Sequence, residues 1–346
     1  MGFSSVRRWA PAISLALGSL LLNACGGGGG GGGGDGMGGG DDGGNGGGDP
    51  PPALSGLLWH TNYALDFLDG TQTASPDGAA PARITDELPA WPWADGTQYA
   101  VAESNVPDHY TDVTVHATGS GSVLYQERFE GYLRGVKPSP ASKQVFLATW
   151  GEDSVSDAVY VFFDLSTHTI LDHFDTAGTV VHWLPDGRYL RISATGAITT
   201  ARPGEAAQSA GSVAVPTGRT INGVWVNPQG TQMLMQFLVP MDSGGIAESD
   251  LWIAQADGSQ LGRLTHTGIT NYGKWSPDGQ HIGFDVDTGT TCNGGGCSGS
   301  CSLWHAPPTA RDVVALESSH DAEHFTVKNS HGDERVLGCE LLAWTE

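Results

Sequence analysis

The sequence predicts an all-β fold built from repeated units of about four short strands each. Three observations support this prediction. A turn motif recurs at nearly even intervals through residues 56–346. Short segments with alternating apolar and polar residues lie between the turns, which is typical of half-buried strands. No long segment after residue 55 shows the 3.6-residue apolar period of an amphipathic helix.

The clearest copy of the turn reads Trp-Ser-Pro-Asp-Gly at positions 275–279. Pro277 presets φ at the second turn position, Asp278 suits the third and Gly279 suits the fourth. Trp275 lies on the strand that enters the turn. We therefore assign these residues a structural role in the repeat.

Five further segments share this layout with increasing departures from it. The best preserved have the same structural role; they are Trp183, Pro185, Asp186 and Gly187 in one copy and Pro228 and Gly230 in another. With the proline position as the marker, the copies fall at 94, 140, 185, 228, 277 and 320, and the spacings are 46, 45, 43, 49 and 43 residues. About four strands in such a unit fit one blade of a β-propeller.

The turn at 275–279, together with Asp250–Ser259 and the following Leu264-Thr265, resembles the repeat motif of the TolB-like, WD40-like family of propellers. The resemblance covers about residues 56–346 and implies a six-bladed β-propeller. It implies no single function, because propellers host many. A seven-bladed or incomplete ring is the alternative.

The two ends of the repeat region are expected to share one blade. Leu57–His60 and Ala64–Leu68 precede the first marker, and strand candidates up to Trp344 follow the last one. Pairing N-terminal with C-terminal strands would close the ring and remove free sheet edges, which promote aggregation.

The first residues have the order of a secretory signal peptide. Arg7 and Arg8 precede an apolar stretch that is shorter than the roughly 20 residues of a spanning helix. The stretch ends in Leu-Asn-Ala-Cys at 22–25, which resembles a bacterial lipobox and implies a lipid on Cys25. The alternative is an ordinary signal peptide with an incidental cysteine.

A glycine-rich segment follows Cys25 and closes with three prolines at 50–52. Glycine loses the most entropy on ordering and this segment has little apolar surface, so we expect a disordered tether. The predicted organisation is a signal peptide at 1–24, a lipidated tether at 25–55 and the propeller at 56–346. Gly26 is not the aspartate that holds lipoproteins at the inner membrane, and this resemblance favours the outer membrane of the cell envelope.

The net charge of −22 argues against nucleic acid and against direct adsorption to an anionic membrane. We therefore expect contact with the membrane through the lipid only, and a monomer that binds an envelope protein or a glycan.

Export favours disulfides for the four cysteines of the repeat region, Cys292, Cys297, Cys301 and Cys339. Three pairings are possible. Proximity favours Cys292 with Cys297, which leaves Cys301 with Cys339. A zinc site is the weaker alternative because the spacing is not Cys-x2-Cys.

Signals for a cofactor or a reaction are weak. Asp285 and Asp287 suggest calcium, but the further oxygen ligands of a calcium loop are missing, so no cofactor is predicted. His320–His324 has the His-x-x-Glu-His order of some zinc proteases but lies on a repeat turn, so we predict neither a metal nor a catalytic residue there.

Three functions follow, from different classes. The first is a non-enzymatic interaction module on a tether. The second is a hydrolase or lyase with a site in the central channel, which would require carboxylates or histidines to converge there. The third is a structural protein of the cell surface stabilised by calcium or disulfides. Trp91 is irregular in the repeat and is a candidate pocket residue, whereas core packing accounts for Trp183 and Trp275.

Overall fold

The computed structural model describes residues 54–61, 70–76, 82–86, 89–151, 158–241, 246–287, 291–293, 296–298, 301–314, 322–329, 331–338 and 341–346. The side chains of residues 291–298 are outside this description. All described residues belong to Pro51–Glu346, one of the two units into which the chain divides. Cys25 and the rest of Met1–Pro50 lie outside the described residues.

Within these residues, six four-stranded antiparallel sheets follow one another around a ring. The fold is a six-bladed β-propeller, as predicted. We number the strands β1 to β28 in chain order and the blades 1 to 6 around the ring. In each blade the strand order runs from the central channel outwards.

Blade 1 combines three strands from the start of the repeat region with one from its end. Its strands are β28 (Leu341–Thr345), β1 (Leu57–His60), β2 (Thr71–Ala74) and β3 (Ala82–Thr85). Strand β28 is innermost and pairs with β1, with Leu57 opposite Thr345. The predicted closure of the ring by the two ends is confirmed. The predicted strand Ala64–Leu68 lies outside the described residues.

Blades 2 and 3 are meanders of consecutive strands. The strands of blade 2 are β4 (Ala90–Pro92), β5 (Gln98–Asn105), β6 (Tyr110–Ala117) and β7 (Val123–Glu130). Those of blade 3 are β8 (Tyr132–Pro138), β9 (Val145–Gly151), β10 (Val159–Asp164) and β11 (Thr169–Asp175).

Blades 4 and 5 repeat this arrangement. The strands of blade 4 are β12 (Thr179–Trp183), β13 (Tyr189–Ser193), β14 (Ala197–Ala201) and β15 (Gln208–Ser212). Those of blade 5 are β16 (Thr220–Val226), β17 (Gln232–Pro240), β18 (Ile246–Gln255) and β19 (Gly262–Arg263).

Blade 6 carries the departures from the repeat. Its strands are β20 (Thr270–Trp275), β21 (Ile282–Asp287), β24 (Cys301–Ala306) and β25 (Glu323–His324). Two hairpins are added to it in sequence, β22 (Thr291–Asn293) with β23 (Gly296–Ser298), and β26 (Thr326–Lys328) with β27 (Glu334–Val336).

The copy of the turn predicted at 320–327 is wrong as a repeat unit. Residue 320 lies outside the described residues, Glu323–His324 is the outermost strand of blade 6, and Thr326–Lys328 belongs to the added hairpin. The sixth inner strand is β28, whose partner β1 lies at the other end of the repeat region. No turn joins these two strands, so no turn motif marks this blade.

The core fills the spaces between neighbouring blades. Phe162 of blade 3, for example, packs edge-on against Trp183 of blade 4 at 5.1 Å between ring centroids and stacks on Tyr189 at 4.6 Å. All three side chains are buried. Blade-to-blade packing of this kind holds the inner strands at fixed positions around the channel.

The segment between blades 5 and 6 is held in place by hydrogen bonds to Asp250, which is fully buried. The Asp250 carboxylate pairs with Arg263 at 2.5 Å and accepts hydrogen bonds from the Thr265 hydroxyl and from the backbone N–H groups of Thr267 and Gly268. A buried carboxylate is stabilised when its oxygens are satisfied in this way. These contacts explain why Asp250 and Thr265 stand at their positions in the motif.

In the part of the chain that the structure describes, no helix has the length and apolar character needed to cross a membrane.

Candidate functional site

The central channel opens into a cavity of about 1020 Å³. Residues of all six inner strands line it, together with residues of the turns that follow those strands. The repeat places these strands side by side, so side chains at the same position in each blade lie near the same level of the channel.

One layer of the cavity is formed by the residues three positions before the turn marker. This rule selects five side chains, one from each of blades 2 to 6. Blade 1 has no turn marker, and its layer residue is assigned by comparison with blade 6. Ala343 stands directly before Trp344, as Lys274 stands directly before Trp275. In ring order from blade 1 the six residues are Ala343, Trp91, Lys137, His182, Trp225 and Lys274, and all of them line the cavity. Lys137 and Lys274 are three blades apart and therefore belong to opposite sides of the ring.

The tryptophans of the turn motif hold this layer in place. Trp183 donates its indole N–H to the backbone carbonyl of Lys137 at 2.8 Å, and Trp275 donates to that of Trp225 at 3.0 Å. In both cases the acceptor is the layer residue of the preceding blade. Each tryptophan thus joins two blades at the level of the cavity.

His182 is neutral in this setting. Burial, followed by the charge of Lys137, lowers the pKa of the imidazole to about 3. Its Nδ1 lies 2.8 Å from the backbone oxygen of Trp183, a contact in which Nδ1 is the donor. The other ring nitrogen, Nε2, is then an acceptor. His182 adds polarity but no charge to the layer.

The two lysines carry the positive charge of the layer. Lys137 is open to the channel and is surrounded by the inner strands, and this enclosure, followed by repulsion from Lys274, lowers its pKa to about 8. Burial also lowers the pKa of Lys274, and the opposite effect comes from Asp285. Lys137 is therefore mostly cationic at neutral pH and loses its proton as the pH rises through about 8.

Asp285 and Asp287 also line the cavity, as do residues of the neighbouring turns. Both aspartates lie on β21, and Asp285 is buried. Asp285 is the carboxylate whose charge acts on Lys274. The cavity therefore holds opposite charges near blade 6. The pKa of Lys137, in contrast, is shifted by its enclosure among the inner strands and by the charge of Lys274.

A chain of amides fixes one polar group at the cavity wall. Asn222 donates to the Gln236 carbonyl oxygen at 3.0 Å, and the Gln236 amide nitrogen donates to Asn271 at 3.1 Å. Asn271 lines the cavity, and its oxygen is used by Gln236. This leaves the Asn271 NH₂ group as the donor available to a ligand.

Four of the six described inner strands have a register irregularity near the channel. The extra residues are Gly135 and Val136 in β8, Asn222 in β16, Tyr272 in β20 and Leu342 in β28. Tyr272 has a φ of 43°, which is costly for a bulky side chain, and is 61% exposed. Bulges re-aim side chains next to functional sites, and Tyr272 lines the cavity.

The turn residues selected from the sequence lie at the ends of the inner strands. Glycines close the three best turns in the left-handed region, with φ of 80° at Gly187, 70° at Gly230 and 72° at Gly279. The Asp186 and Asp278 carboxylates each accept a backbone N–H two residues on. Pro185, Pro228 and Trp275 line the cavity, and Pro277 lies in the turn closed by the Gly279 N–H.

The cysteine predictions fall partly outside the described residues. The backbone of position 292 is opposite that of position 297 in the β22–β23 hairpin. Cys301 lines the cavity and is disulfide-bonded. Cys339 is outside the described residues, although its neighbour Gly338 bridges to Ser302. The pairing of Cys301 with Cys339 stays a prediction.

Within the described ranges, no group of three or more histidine, cysteine, aspartate or glutamate side chains is arranged to hold a metal ion. Glu323 and His324 lie on strand β25 and not on a helix. His320 is outside the described residues.

Sequence reasoning missed Lys137 and Lys274 as site residues. It singled out Trp91 as a pocket candidate, and Trp91 lines the cavity. The signal that would have found the lysines is the repeat itself, because both stand three residues before a marker proline. Comparing the residue three positions before the marker in each copy of the repeat identifies five of the six residues of the layer.

No protein-family model matches the chain, and no curated protein matches it. Solved propellers are similar at low identity. The β-propeller domain of the Trilobed protease from Pyrococcus furiosus is 12% identical over 78% of this chain and 87% of that one, with a TM-score of 0.45. The Cps50 (Swd1) β-propeller domain of Myceliophteria thermophila is 10% identical over 70% and 73%, with a TM-score of 0.44.

Kuenenia stuttgartiensis hydrazine synthase is 12% identical over 64% of this chain, with a TM-score of 0.42. The match spans only 62% of that protein. The propeller fold of the present chain rests on its own strand order.

Proposed function

We propose that the chain is an interaction module, a membrane-anchored propeller outside the cytoplasm that binds an envelope protein or a glycan at its central channel. The observation that carries the proposal is the six-residue layer in a cavity of about 1020 Å³. Ligand sites are concave and combine aromatic walls with a few placed polar groups. Trp91 and Trp225 supply such walls, and Lys137, His182 and Lys274 supply the polar groups.

The N-terminal sequence supports the anchor. Its basic, apolar and small residues have the order of an export signal, and Cys25 stands where a lipoprotein is lipidated. We propose a lipid-anchored monomer in the cell envelope, at the outer membrane, with the glycine-rich segment as its tether. The net charge of −22 favours a partner other than nucleic acid.

The anchor is tested by fractionation of cells that express the full chain. Wild type should sediment with membranes and incorporate labelled palmitate, whereas Cys25→Ser should do neither. Equal sedimentation and equal labelling of the two proteins would contradict the proposed lipid on Cys25.

Binding at the channel is tested by affinity capture from native membranes with the full chain as bait. Tyr272→Asn removes the most exposed aromatic ring of the cavity, and asparagine tolerates the positive φ of this position. We expect captured protein or glycan to fall with Tyr272→Asn and to persist with Leu124→Thr, an exposed position on the outermost strand of blade 2. Equal capture by all three baits would place the binding surface away from the channel.

A hydrolase or lyase is the second candidate, because two carboxylates, a neutral histidine and a lysine with a pKa of about 8 line one cavity. A lysine with such a pKa can exchange a proton with a substrate near neutral pH. Among the described side chains, however, Lys137, Lys274 and His182 form no hydrogen bond or ion pair with another titratable group. Turnover of envelope polysaccharides that disappears in His182→Gln, with capture of the polysaccharide retained, would favour the enzyme over the binding module.

A further inference from the structure

The lysines of this chain are few, and half of them line the central cavity. The sequence contains four lysines, at positions 137, 143, 274 and 328, against 38 acidic residues. Lys137 and Lys274 both line the cavity and stand at the same position of their repeats. In a chain of net charge −22, two of the 16 basic residues thus lie on opposite sides of one channel.

Neither ammonium group is bound by a side chain of the described residues. In the described structure, neither Lys137 nor Lys274 has a hydrogen bond or an ion pair within 4.0 Å, whereas Lys143 pairs with Asp95 at 2.8 Å on the surface. Lys137 is exposed to the channel and Lys274 is half-buried, so each is a cation without an ion-pair partner that a ligand in the cavity can reach. Such a group is stabilised when an anion enters.

Among the described residues, the carboxylates that line the cavity lie on one strand. Asp285 and Asp287 lie on β21 in blade 6, and Asp285 acts on Lys274. His182 of blade 4 is neutral and feels the charges of both lysines, and no carboxylate contributes to its pKa or to that of Lys137. Among the described residues, no carboxylate beside Lys137 therefore competes with an anionic ligand.

We infer that the channel binds an anionic ligand through a carboxylate or phosphate group held between Lys137 and Lys274. The inference rests on the proposed function, because it names the chemistry of the group recognised at the same cavity. The charged oxygens accept hydrogen bonds from the two ammonium groups and from the Asn271 NH₂. Trp91 and Trp225, on the opposed blades 2 and 5 of the layer, flank the ring or chain that carries the charge.

The size of the cavity favours a ligand larger than a free inorganic ion. About 1020 Å³ exceeds what inorganic phosphate requires and is in the range of pockets for drug-sized ligands. We therefore expect an acidic sugar to bind more tightly than inorganic phosphate, with the charged group directed to Lys137.

Isothermal titration of the full chain tests the inference with inorganic phosphate, D-glucuronate, D-glucose 6-phosphate and D-glucose as probes. We expect the two charged sugars to bind and D-glucose to bind at least about 10-fold more weakly. Lys137→Met and Lys274→Met should each weaken the charged probes about 10- to 100-fold. Lys143→Met, which removes a surface lysine, should have no effect, and Lys137→Arg should preserve binding.

The outcomes separate the inference from the proposed function. Equal affinity for D-glucose and D-glucuronate, the absence of binding by every charged probe, or unchanged affinity in folded Lys137→Met would each overturn the anion site. None of these results would affect capture of a partner that depends on Tyr272. Tighter binding of D-glucose 6-phosphate than of D-glucuronate would assign a phosphate ligand, and the reverse order a carboxylate.

A pH series adds a readout that a merely structural role of Lys137 would not give. Affinity for D-glucuronate should fall as the pH rises from 7 to 9, because Lys137 loses its proton in this range. The fall should be smaller in Lys137→Arg, because the guanidinium group stays charged in this range. A fall of equal size in both proteins would contradict the role of Lys137.

Discussion

At the scale of single residues, the tryptophans of the turn motif join neighbouring blades through one hydrogen bond each. Trp275 is buried, and its indole N–H is bound to the carbonyl oxygen of Trp225 at 3.0 Å. Trp225 in turn lies over Gly223, where a β-carbon would come within 2.6 Å of its ring. Gly223 is thus required by the packing of a layer residue.

Trp275→Phe should destabilise the protein by about 1–3 kcal/mol, because it leaves the Trp225 carbonyl without its donor. Trp252→Phe is the matched control, since the Trp252 indole nitrogen is buried and has no hydrogen-bond partner among the described residues. Urea unfolding monitored by circular dichroism measures both. A loss in Trp275→Phe no larger than in Trp252→Phe would contradict the role of the bond.

At the scale of elements, strand β28 completes blade 1 and also forms part of the channel wall. Trp59 of β1 donates its indole N–H to the Thr345 hydroxyl at 3.0 Å, and Trp344 donates to the Ser55 carbonyl at 2.7 Å. These bonds link residues that are more than 280 positions apart. The ring is therefore held closed by a strand from the far end of the chain.

Removal of residues 341–346 should abolish cooperative unfolding, because it exposes the inner edge of β1 and opens the ring. Deletion of Glu346 alone, which is exposed, is the control. A milder change, Thr345→Ala, should cost about 1–3 kcal/mol, and Thr345→Ser should restore most of that by keeping the hydroxyl. Calorimetry measures all four, and a sharp, unshifted transition in the truncated chain would exclude closure by β28.

At the scale of the whole molecule, enclosed histidines should make the propeller sensitive to acid. Burial lowers the pKa of His60 and His305 to about 4 and that of His182 to about 3. Between pH 6.5 and about 4 the unfolded chain binds protons at these sites and the folded chain does not. Stability must therefore fall as the pH drops through this window.

The expected slope is at most about 1.4 kcal/mol per histidine per pH unit. Urea midpoints at pH 7.0, 5.5 and 4.5 measure it. His182→Gln should flatten the curve, and His173→Gln, at an exposed position on strand β11, should not. Stability that is constant from pH 7.0 to 4.5 would show that these histidines are protonated in the folded state.

The fold could be predicted because the turn chemistry of Pro277, Asp278 and Gly279 repeats at a period that fits a blade. Of the layer in the channel, only Trp91 was singled out from the sequence. The lysines were missed because the layer position lies outside the turn motif and holds a different type of residue in most copies. Blade 1 carries no turn marker because its first two strands come from opposite ends of the chain.

The central claim is that Lys137 and Lys274 face an enclosed channel that accepts an anion. The most direct measurement is NMR of the protein labelled isotopically at its lysines. The chain contains four lysines, so few signals are expected. One signal, absent in Lys137→Met, should titrate near pH 8. It should shift, with its midpoint raised, when D-glucuronate is added. Titration of the Lys137 signal above pH 10 and no response to D-glucuronate would contradict the account.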